Sequence, residues 1–257
     1  MRRAALILLV AAWPSAARAG LTETQIGKVE LSPSVDAQVP MTRVFKGIDG
    51  RDMTIGDAIG GRPTLLLPAD FTCKQICGPA LSIAAGALSQ TGLRPGLDYS
   101  IVVVGIDAKD SLDDARRFTS GQLGGPGVSV LSGSSEAIQS VMGAIGYRFQ
   151  RDEASDAIAH PAAFVTLTAQ GRVSRALSSL ALQPADLRLA LLEAGEGKIG
   201  GFTGRIALLC YGFDAVHGIY SRKIATILQV AGGLTVVLLV AALGFMAWRT
   251  AKRGAAA

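Results

Sequence analysis

The chain has 257 residues, of which 49% are hydrophobic and 18% charged, and its formal net charge is +5. High apolar content with little charge excludes a disordered protein, a collagen and a coiled coil, and three cysteines are too few for a disulfide-stapled scaffold. A basic chain is compatible with nucleic-acid binding, so the location of the positive charges decides what they mean.

The first 19 residues have the pattern of a secretory signal peptide. Arg2 and Arg3 precede a short apolar run over residues 4–12, and Ala-Arg-Ala at residues 17–19 is a typical cleavage pattern before Gly20. The apolar run is too short to span a bilayer as a helix, so we expect cleavage rather than a retained anchor. The sequence therefore predicts an exported protein.

A polar, extended lead-in is predicted over residues 20–41, and it precedes a domain over residues 42–197. A hairpin is predicted over residues 45–55, with Asp49-Gly50 at its turn. Residues 64–67 form a wholly apolar run that is typical of a strand covered on both faces. A loop with two cysteines follows, and a helix is predicted over residues 80–88, with Pro79 in its first turn.

The second half of the domain alternates strands and helices. Strands are predicted over residues 99–106, 128–131, 162–168 and 172–177, and helices over residues 111–122, 134–145 and 184–196. Ser111 is the expected N-cap of the first of these helices. Parallel strands joined by helices, with a terminal antiparallel hairpin, predict an α/β fold around a mixed sheet.

The C-terminal region predicts one transmembrane helix. Residues 224–248 contain no charge, and a helix of that length reaches roughly 37 Å, enough to cross a ~30 Å hydrocarbon core. A connector over residues 198–223 precedes it, and a basic tail over residues 249–257 follows it. With an exported N-terminus, this predicts a single-pass protein of the bacterial inner membrane that contacts lipid and has a periplasmic domain and a cytoplasmic tail.

The positive charge belongs to these two targeting segments. Residues 20–248 contain 19 basic and 20 acidic side chains, a net charge of −1. Because no basic surface remains to be explained, the sequence does not indicate a nucleic-acid partner.

The chemistry of the domain is predicted to lie at Cys73 and Cys77. They occupy the loop that leaves the first buried strand and enters a helix, at the edge of an α/β sheet where ligands bind. The helix N-terminus is expected to favour a thiolate at Cys77. A close pair of thiols can form a structural disulfide, a redox couple or a soft-metal site, although a disulfide closing so small a loop adds little chain entropy.

Residues 42–196 resemble the Sco (SenC) family of copper chaperones, which assemble the binuclear copper centre of cytochrome oxidase. Cys73-Lys74-Gln75-Ile76-Cys77 matches the C-x-x-x-C pair of the family, and Ile158-Ala159-His160 stands at the place of its histidine, before a late strand. Weaker matches are Val104 to Asp107 with Asp110, residues 128–133 and residues 169–172.

The resemblance implies a thioredoxin-like mixed sheet flanked by helices, with a copper site formed by Cys73, Cys77 and His160. Two thiolates and one imidazole suit Cu(I), with Cu(II) also accessible, whereas zinc usually takes a fourth ligand. The implied client is a copper-binding subunit of cytochrome c oxidase or another membrane-bound cuproprotein.

Departures from the family pattern leave a second interpretation open. The interior of the motif is Lys-Gln-Ile rather than a segment with Pro-Asp, and Gly78 precedes Pro79. Thioredoxin-like reductases hold a cis-proline just before the corresponding late strand, where this chain has Pro161. The alternative is therefore an enzyme, a periplasmic thiol-disulfide oxidoreductase that reduces client cysteines, in which Cys73 attacks and Cys77 resolves.

Cys210 and His217 lie in the predicted connector. We interpret this stretch as an apolar juxtamembrane segment that contains a thiol, although a second metal site is the alternative.

Overall fold

The structure is a computed structural model that describes residues 26–73, 77–198, 213–214, 219–220, 230, 232–240 and 243. The predicted signal peptide, Cys210, His217, most of the connector and the basic tail lie outside the described residues. Of the predicted transmembrane segment, residues 232–240 are described as helical and exposed. Within the described part of the chain, no helix is long and apolar enough to cross a membrane.

A seven-stranded mixed sheet forms the centre of the domain. The described residues contain thirteen strands, of which seven form this sheet and the others form two-stranded pairs. They are β1 (Glu30–Leu31), β2 (Val44–Gly47), β3 (Asp52–Thr54), β4 (Thr64–Ala69), β5 (Ser100–Gly105), β6 (Val128–Ser132), β7 (Tyr147–Arg148), β8 (Gln150–Arg151), β9 (Ile158–Ala159), β10 (Ala163–Leu167), β11 (Val173–Ser178), β12 (Phe213–Asp214) and β13 (Ile219–Tyr220). The order in the main sheet is β11-β10-β4-β5-β6-β2-β3. Strands β4, β5 and β6 are parallel, and the outer strands are antiparallel.

Five helices cover the two faces of this sheet. They are α1 (Ile55–Ile59), α2 (Cys77–Ser89), α3 (Leu112–Thr119), α4 (Ser135–Ala144) and α5 (Pro184–Gly195). Helices α1 and α4 pack on one face, and α2, α3 and α5 pack on the other. The mixed α/β sheet flanked by helices is thereby confirmed.

The central strands separate two hydrophobic clusters by the period-two alternation of their side chains. In β4, Leu66 contributes to the cluster under α1 and α4, whereas Leu65 and Leu67 contribute to the cluster under α2 and α5. Every residue of β4 and β5 is buried, as the continuous apolar runs predict.

Local signals explain most of the element boundaries. Ser111 caps α3, and its side chain and that of Asp114 form a reciprocal capping box, so the predicted start of this helix is correct. The hairpin of β2 and β3 turns at Gly50, as predicted. Helix α1 was not predicted: Thr54 caps its start and Gly60, in the left-handed conformation, ends it after only five residues.

Part of the lead-in segment packs against the domain. Ala37 and Val39 are buried in the core, and the Val39 amide donates to the Gly171 carbonyl. Strand β1 pairs with β7, which places Leu31 opposite Tyr147. The segment therefore helps to fix β7, a strand that contributes to the site described next.

Candidate metal centre

The three residues that the sequence predicts as metal ligands come together in the structure. Cys73 lies in the loop after β4, Cys77 is the first residue of α2, and His160 lies between β9 and β10. One ligand atom from each, the two sulfurs and an imidazole nitrogen, lies within 4.8 Å of the others. A single metal ion can therefore contact all three.

Sheet register explains how residues so far apart in sequence meet. Strand β10 runs antiparallel to β4, with Val165 opposite Leu66 and Leu167 opposite Thr64. Because of this direction, the residues that precede β10 lie next to those that follow β4. His160 is thereby brought to the carboxyl edge of the parallel strands, where the cysteine loop leaves the sheet.

An ionic cluster ties the segment that carries His160 to the end of β5. Strands β8 and β9 pair, with Gln150 opposite Ala159. The Arg151 guanidinium lies 2.5 Å from a carboxylate oxygen of Asp107 and 2.6 Å from one of Asp156. Lys109 also contacts Asp156, at 2.7 Å.

Cys77 is a buried thiol in a largely apolar wall. An adjoining cavity of about 20 Å³, lined by Leu81, Phe118 and Phe164 among others, has room for about one water molecule. The Ser179 hydroxyl lines this cavity and has no hydrogen-bond partner among the described residues. Cys77 itself is 5% exposed, whereas Cys73 is half-buried.

The protonation of Cys77 differs from the sequence-based expectation. The pKa of the Cys77 thiol is raised because its side chain hydrogen-bonds to Cys73, because it is buried and because Cys73 contributes negative charge. The expectation that a helix N-terminus would favour a thiolate here is therefore wrong for the metal-free protein. Burial and the neighbouring sulfur outweigh the helix dipole, whose effect is about 1 kcal/mol.

The imidazole of His160 joins the two layers of the domain. Its Nε2 lies 3.1 Å from Cys77 Sγ, which belongs to the α2 layer. Its Nδ1 lies 2.9 Å from the hydroxyl of Tyr147, which belongs to the α4 layer, and 3.2 Å from the Pro161 carbonyl oxygen. The ring is therefore contacted at both nitrogens.

Sequence reasoning missed Tyr147. This tyrosine is 2% exposed, its hydroxyl donates to the Pro161 carbonyl at 2.8 Å, and its pKa is raised because it is buried and because Cys77 lies nearby. The only signal was a large amphipathic side chain just after a predicted helix, and such a residue usually serves packing. The partner of its hydroxyl, His160, lies 13 residues further along the chain, and no local pattern shows that the two side chains meet.

Pro161 does not match the proline of thioredoxin-like reductases in its conformation. No peptide bond between described residues is cis, so the bond between His160 and Pro161 is trans.

Two acidic residues at the same edge of the sheet accept hydrogen bonds from backbone amides. Asp107 accepts a hydrogen bond from the Lys109 amide, and Asp110 accepts one from the Phe71 amide at 2.9 Å. Burial raises the pKa of Asp110 to about 6, and the negative charges of Asp70 and Asp107 act in the same direction. Both carboxylates therefore hold the backbone of loops at this edge of the sheet.

Comparison with known proteins identifies the family. The SCO1/SenC family model matches residues 36–191, well over half of the chain. The chain belongs to the SCO1/SenC family.

Solved structures share its thioredoxin-like fold. A putative electron transfer protein from Aquifex aeolicus is 23% identical with a TM-score of 0.58, and the match covers 66% of this chain and 98% of that one. ScoI from Arabidopsis thaliana, solved with copper bound, is 17% identical with a TM-score of 0.52, covering 64% and 99% of the two chains. Yeast Sco1 is 15% identical with a TM-score of 0.51, covering 64% and 99%.

Comparison with the sequences of curated proteins found no match. At these identities the solved structures establish the fold, and the chemistry has to be argued from the residues of this chain. Two sulfurs and an imidazole nitrogen form a donor set that suits a soft or borderline metal ion.

Proposed function

We propose that this protein is a membrane-anchored copper chaperone that delivers copper to a copper-binding subunit of cytochrome c oxidase or to another membrane-bound cuproprotein. The observation that carries the proposal is the grouping of Cys73, Cys77 and His160 within 4.8 Å. Copper is the cargo of the site. Membership of the SCO1/SenC family and the copper-bound structures of ScoI and yeast Sco1 support this assignment.

The donor set favours Cu(I) over the other common metals. Thiolate ligands select Cu(I), and a three-ligand site leaves a position for an incoming ligand from the client. A structural zinc site is usually closed by four ligands, and the described residues contain no fourth His, Cys, Asp or Glu in this group. The raised pKa of Cys77 means that binding must displace its proton.

The anchoring part of the proposal rests on the sequence. The signal-peptide pattern at residues 1–19 and the uncharged segment over residues 224–248 support a single-pass protein of the bacterial inner membrane with a periplasmic domain. An anchor would confine the domain to the membrane of its client and raise the effective concentration of the pair.

Copper binding is tested on the purified full-length chain in detergent, reduced and without metal. Replacing Cys210 by Ser leaves Cys73 and Cys77 as the remaining thiols. We expect one Cu(I) per chain, and we expect His160→Ala to weaken binding at least tenfold in a competition assay with a chromophoric chelator. His217→Ala is the matched control, because it removes the other histidine. Absence of stoichiometric copper, or equal affinity in the two histidine variants, would contradict the proposed site.

Delivery is tested against the oxidoreductase alternative with one client in two states. Loaded protein is mixed with a reduced, metal-free oxidase copper subunit, and the metal-free reduced protein is mixed with the same subunit carrying a disulfide. A chaperone transfers Cu(I) in the first mixture. A reductase oxidises its Cys73 and Cys77 to a disulfide in the second while the client disulfide becomes two thiols. The trans Pro161 favours the first outcome, because thioredoxin-like reductases hold a cis-proline at this place.

Topology is tested by fractionation and protease accessibility. A C-terminal epitope should remain in the membrane fraction after alkaline extraction and should resist protease in intact spheroplasts, while the domain is digested. Release of the chain by alkaline extraction would contradict the anchor.

A further inference from the structure

The hydrogen bonds around Tyr147 determine which nitrogen of His160 carries the proton. The Tyr147 hydroxyl has one proton, and it donates this proton to the Pro161 carbonyl oxygen, which can only accept. The hydroxyl oxygen can then only accept from His160 Nδ1, at 2.9 Å. In this arrangement Nδ1 carries the hydrogen in the neutral ring, whereas the other tautomer would need the hydroxyl to donate to Nδ1 and would leave the Pro161 carbonyl oxygen without that donor.

This assignment leaves the other nitrogen ready for a metal. With hydrogen on Nδ1, the lone pair of Nε2 is unprotonated and faces Cys77 Sγ at 3.1 Å. The tautomer with hydrogen on Nε2 would have to lose or move that proton before Nε2 could bind a metal. The outer hydrogen bond thus selects the ligand form of the imidazole, a role that such bonds have in other metal sites.

Tyr147 is itself held firmly. It follows Gly146, whose φ is +68°, and the Gly146 carbonyl accepts a hydrogen bond from the Ser32 amide. Strand β1 pairs with it through Leu31, and its ring is buried with α4. A hydroxyl fixed in this way can position the imidazole without moving when metal arrives or leaves.

We propose that Tyr147 is a positioning residue of the copper site, whose hydroxyl holds His160 in the Nδ1–H tautomer with Nε2 directed at the two sulfurs. This inference rests on the proposed copper-binding function. Tyr147 does not contact the metal in this proposal, and it acts only through His160. Loss of an outer hydrogen bond of this kind typically costs 10- to 100-fold in metal affinity.

The test uses the full-length chain in detergent with Cys210→Ser and His217→Gln, so that His160 is the remaining histidine. Tyr147→Phe removes the hydroxyl and keeps the ring. Tyr99→Phe is the matched control, because Tyr99 is 1% exposed and precedes β5 at the opposite edge of the sheet. Circular dichroism and thermal melting check that both variants are folded.

The first measurement needs no metal. Long-range ¹H–¹⁵N NMR of the reduced reference chain should show His160 in the Nδ1–H form, and so should Tyr99→Phe. Tyr147→Phe should show a rise in the Nε2–H form. An Nε2–H ring in the reference chain overturns the proposal without any substitution at Tyr147. An unchanged tautomer in Tyr147→Phe overturns it as well, because the Pro161 carbonyl would then suffice to orient the ring.

The second measurement is Cu(I) affinity by chelator competition. We expect Tyr147→Phe to bind 10- to 100-fold more weakly than the reference chain, and Tyr99→Phe to bind equally well. A changed tautomer with unchanged affinity refutes the positioning role. If the reference chain itself binds no copper, the proposed function fails in the unsubstituted site and the positioning role falls with it, so the two failures are distinguishable.

Discussion

Asp110 shows how a single residue at the site edge responds to its surroundings. Its carboxylate accepts the Phe71 amide just before the cysteine loop, yet burial and the nearby Asp70 and Asp107 disfavour its charge. Its pKa is raised from 3.8 to about 6. The hydrogen bonds from Phe71 and Thr72 favour the charged carboxylate, but the cost of burying the charge outweighs them.

We therefore predict a pH-dependent effect of Asp110→Asn. The folded protein holds this proton more tightly than the unfolded chain, so its stabilising effect is fully present below pH 3.8 and is lost as pH rises through about 6. The amide keeps an acceptor for Phe71 and stays neutral. The free energy of unfolding of the variant, measured with urea, should rise relative to the unsubstituted chain between pH 4 and pH 7. A constant difference over this range would show that Asp110 does not titrate in it.

At the scale of elements, the connection from α4 to β7 depends on a turn that only glycine can make. Gly146 has a φ of +68°, and a Cβ placed on it would lie 2.1 Å from the Ser32 carbonyl oxygen. The close approach allows the Ser32 amide to bond with the Gly146 carbonyl, so β1 and β7 pair. The position of Tyr147 follows from this turn.

Gly146→Ala should lower the free energy of unfolding by about 1–3 kcal/mol or more, because a left-handed backbone conformation and a contact with backbone both oppose the methyl group. Gly143→Ala is the control: it lies inside α4 with open space around it, and alanine there should be neutral or stabilising by up to about 1 kcal/mol. Urea denaturation of the two variants measures the contrast. Equal free energies of unfolding in the two variants would mean that the β1–β7 contact can shift to accommodate the methyl group at little cost.

At the scale of the whole molecule, His160 is the point where three separate parts of the chain meet. Cys77 comes from the α2 layer, Tyr147 from the α4 layer, and the segment over residues 150–159 is tied to β5 through Arg151 and Asp107. The Asp107 side chain is only 9% exposed and lies 2.5 Å from the Arg151 guanidinium, so this ion pair is more buried than the pair of Arg148 and Glu30.

Arg151→Met should therefore lower the free energy of unfolding by about 1–3 kcal/mol and weaken Cu(I) binding, because Asp107 loses its charged partner and the His160 segment loses an anchor. Arg148→Met is the matched control. Its ion pair with Glu30 is exposed, at 65% and 45%, and its loss should cost less than about 1 kcal/mol. Urea denaturation and chelator competition check both variants. If Arg151→Met behaves as Arg148→Met does, the Asp107 contact is not an anchor.

Much of the fold was predictable because its signals are local. The apolar runs of β4 and β5 indicate buried strands, Ser111 marks a helix start, and Asp49-Gly50 marks a hairpin turn. Helix α1 was not predicted, because a helix of five residues is too short to show a periodic hydrophobic pattern.

The three residues of the candidate site were predictable from the sequence, and their protonation was not. Cys73, Cys77 and His160 were recognisable from the C-x-x-x-C spacing and from a histidine before a late strand, and the structure brings them together. The raised pKa of Cys77 could not be predicted from the sequence. Its position at a helix terminus is a local feature, whereas its burial and its contact with Cys73 arise from packing.

The sequence by itself determined the order of the main strands and longer helices, the three residues of the candidate metal centre and the location of the positive charge in the terminal segments, because these are recorded in composition, spacing and periodicity. Only the tertiary structure decided the environment of the site. The antiparallel register of β10 on β4, the turn at Gly146 and the buried hydroxyl of Tyr147 set the distances between side chains. Those distances, which no local pattern encodes, bring the two sulfurs and the imidazole together and raise the pKa of Cys77.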